Sequence, residues 1–281
     1  MMKEIGSEMQ HSTSAFTIVD TGFWQPSVLD LCMAPGGFVA TALDVNPGAC
    51  ATGFSLPPAD GGHKIHLPPE LGVTIDFLDV TMLAADMGIA DIPPEHPEAS
   101  SFVRNRYLAP GQMFDLVLCD GQVLRTHKRP SHREKLESSR LAVSQLALGL
   151  GHVRPGGSMI VLLHKVDDWN NVCLLYEFSK FADVKVFKPR MWHAKRGSFY
   201  MIATNIRSRN REAVLAVERW KREWEVATFG TEQQYRDIVK GEELDVNEVL
   251  EEFGPKLISL GKSIWKIQAT GLRKAPFMRS S

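Results

Sequence analysis

The apolar positions of this chain fall into short unbroken runs, each closed by an acid, a glycine or a proline, and these alternate with longer stretches of helical period. The first run, Val28-Leu29-Asp30-Leu31, passes through the turn Pro35-Gly36-Gly37 into a helix from Phe38 to about Val45. Ala49 to Leu56 predicts a second strand, ended by Pro57 and Pro58, and Val73 to Thr81 a third. Residues 91–111 carry Pro93, Pro94, Pro97 and Pro110 and read as an irregular surface loop. Phe114 to Gly121 is the clearest strand. It is followed by a helix from about Glu134 to His152, a strand from Met159 to His164 and a helix from about Trp169 to Phe181. Two last strands, Val184 to Pro189 and Ser198 to Thr204, form a hairpin.

Strands apolar on both faces and separated by helices predict an α/β fold, Rossmann-like, with a mostly parallel sheet and an antiparallel edge. Met1 to about Phe23 reads as an amphipathic helix and a loop. From about Asn210 onward the pattern is helical and charged, with Trp220, Trp224, Phe229, Tyr235, Phe253 and Trp265 as spaced anchors. The chain therefore divides into an N-terminal helical segment (1–22), an α/β domain (23–206) and a helical C-terminal extension (207–281), whose helices pack onto the domain or onto a protein partner.

Composition narrows the function. The 281 residues, 44% of them hydrophobic, suffice for one large α/β domain with an appendage. The 32 basic and 33 acidic side chains give a net charge of −1, so no global field draws the chain to nucleic acid, and contact with RNA needs a local patch. Two basic loops offer one: Arg125-Thr126-His127-Lys128-Arg129-Pro130-Ser131-His132-Arg133, and the aromatic loop Arg190 to Gly197 around Lys195, with Trp192 and Arg196 as candidates to stack a base and grip a phosphate. Cys32, Cys50, Cys119 and Cys173 lack paired spacing and read as buried thiols of a reducing compartment; no metal-ligand set is read. The N-terminus is too polar for a signal peptide and no apolar run is long enough to span a bilayer, which leads us to expect a cytoplasmic or nuclear protein without a membrane partner.

The chemistry gathers at the strand ends. Gly36 and Gly37 remove the side chains that would keep a ligand off the backbone, so amides opening the helix can face a polar group. Asp120-Gly121 closes a strand where ligands of open α/β sheets bind. At the end of the second strand, where a nucleotide fold often carries an acid for ribose hydroxyls, this chain has Ser55 or Leu56, with Asp60 in reach. A nicotinamide-dependent oxidoreductase shares this logic, but the G-x-G-x-x-G spacing is absent from residues 30–38.

The segments Asp30-Leu31-Cys32-Met33-Ala34-Pro35-Gly36-Gly37-Phe38, Asp79-Val80, Phe114 to Asp120, Pro155-Gly156-Gly157-Ser158 and Lys188-Pro189 through Tyr200, in that order, resemble the FtsJ-like ribose 2′-O-methyltransferases, especially the fungal FtsJ-like domain proteins. The resemblance covers about residues 20 to 205. It implies S-adenosylmethionine as cofactor, its methionine and ribose parts lined by Asp30 through Phe38 and its adenine met by Asp79 and Val80. Asp120 corresponds to the acid of the family's Lys-Asp-Lys-Glu tetrad, where it orients the attacking hydroxyl. The second lysine position falls on Leu162 and the glutamate position on Ser198, while the first lysine finds only His11, Ser12, Thr13 or a long-reaching Lys3.

A ribose hydroxyl is a poor nucleophile, so a replacement base is expected, and His164 and Lys165 are the candidates. His164 shares the strand parity of Leu162; Lys165 does not, and faces the cofactor only if the strand end re-aims it. The reading that leads is an RNA ribose 2′-O-methyltransferase; the alternatives are an easier acceptor, or a cofactor-binding module without turnover that acts through its helical tail.

Overall fold

In a computed structural model, residues 1–19, 22–124, 127, 129–241 and 244–274 are described. Seven strands form a single sheet: β1 (Ser27–Asp30), β2 (Cys50–Ser55), β3 (Thr74–Phe77), β4 (Phe114–Cys119), β5 (Val153–His164), β6 (Asp183–Phe187) and β7 (Ser198–Thr204), in the order β3-β2-β1-β4-β5-β7-β6. All neighbours from β3 to β5 run parallel, and β7 runs against both β5 and β6. The expected mostly parallel, Rossmann-like sheet with an antiparallel edge is what forms. Val28 and Leu29 in β1, and Val117 and Leu118 in β4, are wholly buried, as central strands covered on both faces require.

Among the described residues seven α-helices accompany the sheet. These are α1 (Met2–Thr13), α2 (Gly37–Val45), α3 (Glu137–His152), α4 (Trp169–Phe181), α5 (Arg211–Phe229), α6 (Glu232–Gly241) and α7 (Val246–Arg273). One face of the sheet packs a cluster containing Ile5, Met9, Phe16, Phe38, Ile160 and Tyr200, so α1 and α2 cover it together. The other face packs Leu148, Val161, Phe178, Trp220, Trp224, Phe253 and Ile264, which joins the C-terminal helices to the main core. Of the expected anchors, Trp220, Trp224 and Phe253 are buried, whereas Trp265 stays 40% exposed.

Three departures from the sequence pattern have local causes. The third strand stops at Phe77 because the Asp79 carboxylate accepts from the Thr81 amide (2.9 Å) and caps a 3₁₀ turn over Val80–Met82. β5 begins at Val153, six residues before the expected Met159. Pro155-Gly156-Gly157 is absorbed into the ladder because Gly156 takes φ 86° and the Gly156 amide donates to the Ile206 carbonyl at 2.8 Å. Cys50 is exposed at the opening of β2, so the expectation of four buried thiols is corrected; Cys119 alone is fully buried. Among the described residues no helix is long and apolar enough to cross a membrane.

Candidate active site

The carboxyl ends of β1, β2, β4 and β5, together with the turn after β3, surround a cavity of about 740 Å³. It lies where the strand order reverses between β1 and β4, the place at which open α/β sheets leave a crevice for a ligand. Of the residues expected to hold a cofactor, Cys32, Ala34, Pro35, Ser55, Asp79, Val80 and Asp120 line it. Asp30, Met33, Gly36, Gly37 and Phe38 do not. Asp30 stands behind the wall, 1% exposed, with Oδ1 accepting from the Cys32 amide at 3.1 Å. Met33 fills the space over Gly53, and Phe38 meets Tyr200 and Phe16 edge to face. Asp60 is exposed outside the cavity.

The glycine turn is bare for a different reason than a ligand's approach. A Cβ on Gly36 would stand 2.6 Å from Leu67 Cγ, and one on Gly37 2.6 Å from both the Lys3 amide nitrogen and Met2 Cβ. Protein packs against this backbone: the start of α1 closes over the turn, and Met1 and Met2 themselves line the cavity. Nothing in the sequence near the turn signals this, because α1 is some thirty residues upstream. Lys3, considered as a distant tetrad lysine, has its Nζ on Asp44 Oδ2 at 3.0 Å.

Two carboxyls stand at the ends of the adjacent strands: buried Asp30 closes β1, and half-buried Asp120 directly follows β4. Burial pushes the Asp120 carboxyl up to about 7. Burial, and then the charge of Asp120, raises Asp30 well above the usual carboxylate range. Gln145 on α3 holds the chain just past Asp120: its Oε1 accepts from the Gly121 amide at 2.9 Å and its Nε2 donates to the Gly121 carbonyl at 3.2 Å. Folded Asp120 keeps its proton to about pH 7, whereas an unfolded aspartate loses it near about 3.9. The native state therefore binds the extra proton between those values, and stability falls as pH rises through them. Asp120→Asn is expected to flatten part of that decline in the ligand-free protein, Asp30 supplying the rest. Urea unfolding at about pH 5 and about pH 8 measures it; an equal decline in the variant would show that Asp120 ionises normally.

Asp79 is gripped from three sides. Its Oδ1 accepts from the Thr81 amide and hydroxyl (2.9 and 2.8 Å) and its Oδ2 from Arg133 at 2.8 Å. Burial works to raise the Asp79 carboxyl, but the Arg133 charge and these hydrogen bonds outweigh it and lower the value. Arg133 itself is 8% exposed and also meets Glu98 (3.2 Å) and Glu137 (2.6 Å). It is thus a buried clamp and no free cation of the basic loop. His132 likewise pairs with Glu98 at 3.0 Å. His127 and Arg129 line the cavity, while Arg125, Thr126 and Lys128 lie outside the described residues.

At the mouth, β5 and β7 bring His164 opposite Ser198 and Leu162 opposite Tyr200. His164 Nδ1 lies 3.1 Å from Ser198 Oγ, and the Gln122 side-chain amide contacts His164 Nε2. Gln122, Leu162 and Tyr200 line the cavity. Burial, then Lys188 and Arg196, lowers the imidazole below its ordinary value, which keeps it neutral near pH 7. Lys165 begins the next turn with φ 57°, is exposed and does not line the cavity. His164 is likewise exposed and outside the lining, and reaches the cavity only through Gln122. Lys188, almost wholly buried, donates from Nζ to the carbonyls of Arg196 (2.6 Å) and Ser198 (2.8 Å) and so fastens the loop that carries Arg196; burial lowers it to about 8.

Sequence reasoning missed Gln122, Gln145 and the role of Tyr200. Only Tyr200 carried a signal, as a phenol two positions from Ser198 in an otherwise apolar strand. Its hydroxyl and the Ser55 hydroxyl are both buried without a hydrogen-bond partner. Two orphaned hydroxyls on residues lining a cavity of this size, together with the carboxyls of Asp79 and Asp120, suit a polar nucleoside ligand bearing hydroxyls and a positive charge. The fold and the site together define a Rossmann-like methyltransferase.

The family model of the FtsJ-like methyltransferases matches residues 8–206, and the chain belongs to that family. S-adenosylmethionine is its cofactor. No curated protein matches it in sequence. Solved structures similar in shape include an O-methyltransferase family protein from Burkholderia thailandensis (14% identity, TM-score 0.38, covering 73% of this chain and 58% of that one). Others are an rRNA methylase from Streptococcus thermophilus (10%, 0.38, 72% and 96%) and human methyltransferase-like protein 13 in complex with SAH (11%, 0.41, 88% and 98%). The chain thus spans little more than half of the Burkholderia protein's length. These likenesses are distant, and membership rests on the family match.

Proposed function

We propose that the protein methylates a ribose 2′-hydroxyl of RNA. The observation that carries this reading is the meeting, at one cavity, of Asp120, the Gln122 amide that leads to His164, and the cations Lys64, Arg129 and Arg196. In a chain of net charge −1, these three cations are what the cavity offers a polyanionic strand, since Arg133 already neutralises two of the lining acids, Asp79 and Glu137. Ser55, Asp79 and Val80 would hold the nucleoside of the cofactor, and Cys32, Ala34, Pro35 and Asp120 its methionine end. Bound there, S-adenosylmethionine supplies an electrophilic methyl carbon on a positively charged sulfur.

The residues of the chain do the rest. With Nδ1–H donating to Ser198 Oγ and the Gln122 amide donating to Nε2, the free electron pair of His164 lies on Nε2, on the side of Gln122. The acceptor hydroxyl takes the place of Gln122 there and its proton passes to Nε2, which leaves the oxygen ready for the methyl group that the cofactor, held by the residues named above, would supply. Asp120 orients the hydroxyl, and the alignment of the reacting groups contributes about 7–11 kcal/mol to lowering the barrier. Leu162 and Ser198 at tetrad positions favour one other reading, a domain that binds cofactor without turnover.

Incubation with methyl-labelled cofactor and total RNA separates the two. A ribose 2′-O-methyl group blocks alkaline cleavage of the next phosphodiester, so label is expected in alkali-stable dinucleotides. Label confined to bases would discard the ribose reading, and cofactor binding without any label would favour the inactive module.

A further inference from the structure

A second cavity, of about 320 Å³, opens between the β6–β7 loop and the C-terminal end of α7. Arg190, Lys195, Arg196 and Lys274 line it, with His193 between them. None of the four cations has an acidic partner among the described residues. The nearest acid in the hydrogen-bond network, Glu8, accepts from the Arg190 backbone amide at 3.0 Å and leaves that guanidinium unengaged. The His193 Nδ1 atom is buried without a partner, and the cations Arg196 and Lys188 add to burial in lowering its imidazole. Among the described residues these four side chains form a cluster of positive charge without an ion pair.

This cavity adjoins the cofactor cavity, since His193 and Arg196 line both. It is also built in part from outside the family region. The match ends at residue 206, while Gly271 lies in α7 and Lys274 directly follows it. Gly271 permits the approach: a Cβ there would stand 3.0 Å from the Ala194 carbonyl. Beside the cations, Met191 is 76% and Trp192 37% exposed, apolar surface on which an unstacked base can rest.

We propose that this second cavity binds a backbone phosphate of the acceptor RNA next to the methylated nucleotide, so that the C-terminal helix α7 takes part in holding a single strand across the mouth. The proposal rests on the RNA reading above. Phosphate contacts of this kind fix the register of the strand and carry no base preference.

The test uses the full chain and fluorescent single-stranded RNA oligonucleotides of differing sequence, with affinity measured across a range of salt. Lys195→Gln combined with Lys274→Gln is expected to weaken binding of every oligonucleotide by a similar factor. It is also expected to reduce the slope of log affinity against log salt by about 1.4, two contacts at about 0.7 each for single strands. SAH binding should not change, because both lysines are exposed and neither lines the cofactor cavity. If the double variant binds RNA with the wild-type affinity and slope, the second cavity is not a phosphate site, and the ribose-methylation reading stands. If the wild-type chain takes up SAH but binds no RNA at any salt, both readings fall together. A charge reversal, Lys274→Glu, separates the contribution of α7 from that of the loop: an unchanged slope would remove α7 from the proposal.

Discussion

His164→Ala is expected to lower methyl transfer by roughly 10²–10⁴-fold, the range over which a positioned base contributes, and to leave SAH affinity little changed. The imidazole closes β5 with Nδ1 on Ser198 and Nε2 beside Gln122 at the cavity. Because its environment keeps it neutral, it is ready to accept a proton near pH 7. Its depressed value moves the acidic limb of the rate profile below the range of an ordinary histidine, about 6.5, and that limb should vanish in the alanine variant. Ser198→Ala should cost less than the loss of the ring itself, because it frees the ring without removing it. Lys165→Ala is the control: unlike His164, which also lies outside the lining but contacts Gln122, its side chain makes no hydrogen bond to a lining residue among the described residues, so the rate should hold. Wild-type turnover by His164→Ala together with a dead Lys165→Ala would reverse the assignment.

Arg133→Met should destabilise the protein by about 3–5 kcal/mol, the range for removing one partner of a buried ion pair. Three carboxylates converge on this guanidinium: Asp79 at 2.8 Å, Glu98 at 3.2 Å and Glu137 at 2.6 Å. Arg140 reaches Glu137 at 3.3 Å but does not replace the contacts to Asp79 and Glu98. Without Arg133 the burial of Asp79 is no longer outweighed, so its carboxyl rises and SAH affinity should fall as pH is lowered in the variant more than in the wild type. Urea unfolding and calorimetric titration measure the two effects. A loss below about 1 kcal/mol would mean that the cluster behaves like an exposed ion pair, and the account of a buried clamp would be wrong.

Arg133 also shows where sequence reasoning runs out. In the row of residues it belongs to a basic run between a strand and a helix, and nothing local separates it from Arg129. Its burial follows from Asp79, Glu98 and Glu137 being brought to one point from separate parts of the chain. The glycine turn gave a similar lesson: its bareness was legible, but the atoms that use the space belong to Met2, Lys3 and Leu67. The strands were legible because each apolar run is closed by its own turn residues. β5 was read short because Pro155-Gly156-Gly157 signals a turn locally and is drawn into the ladder only by pairing with Ile206.

What the sequence determined by itself is the alternation of strands and helices, the sheet class, and the location of Ser55, Asp79 and Asp120 at strand ends, for which period and punctuation are local properties of the chain. The tertiary structure alone decided that α1 closes the glycine turn, that His164 rather than Lys165 contacts the cavity-lining Gln122, and that α7 meets the β6–β7 loop. Each of these depends on contacts between segments far apart in the chain, and hydrophobic periodicity says which face of an element is buried without saying against what.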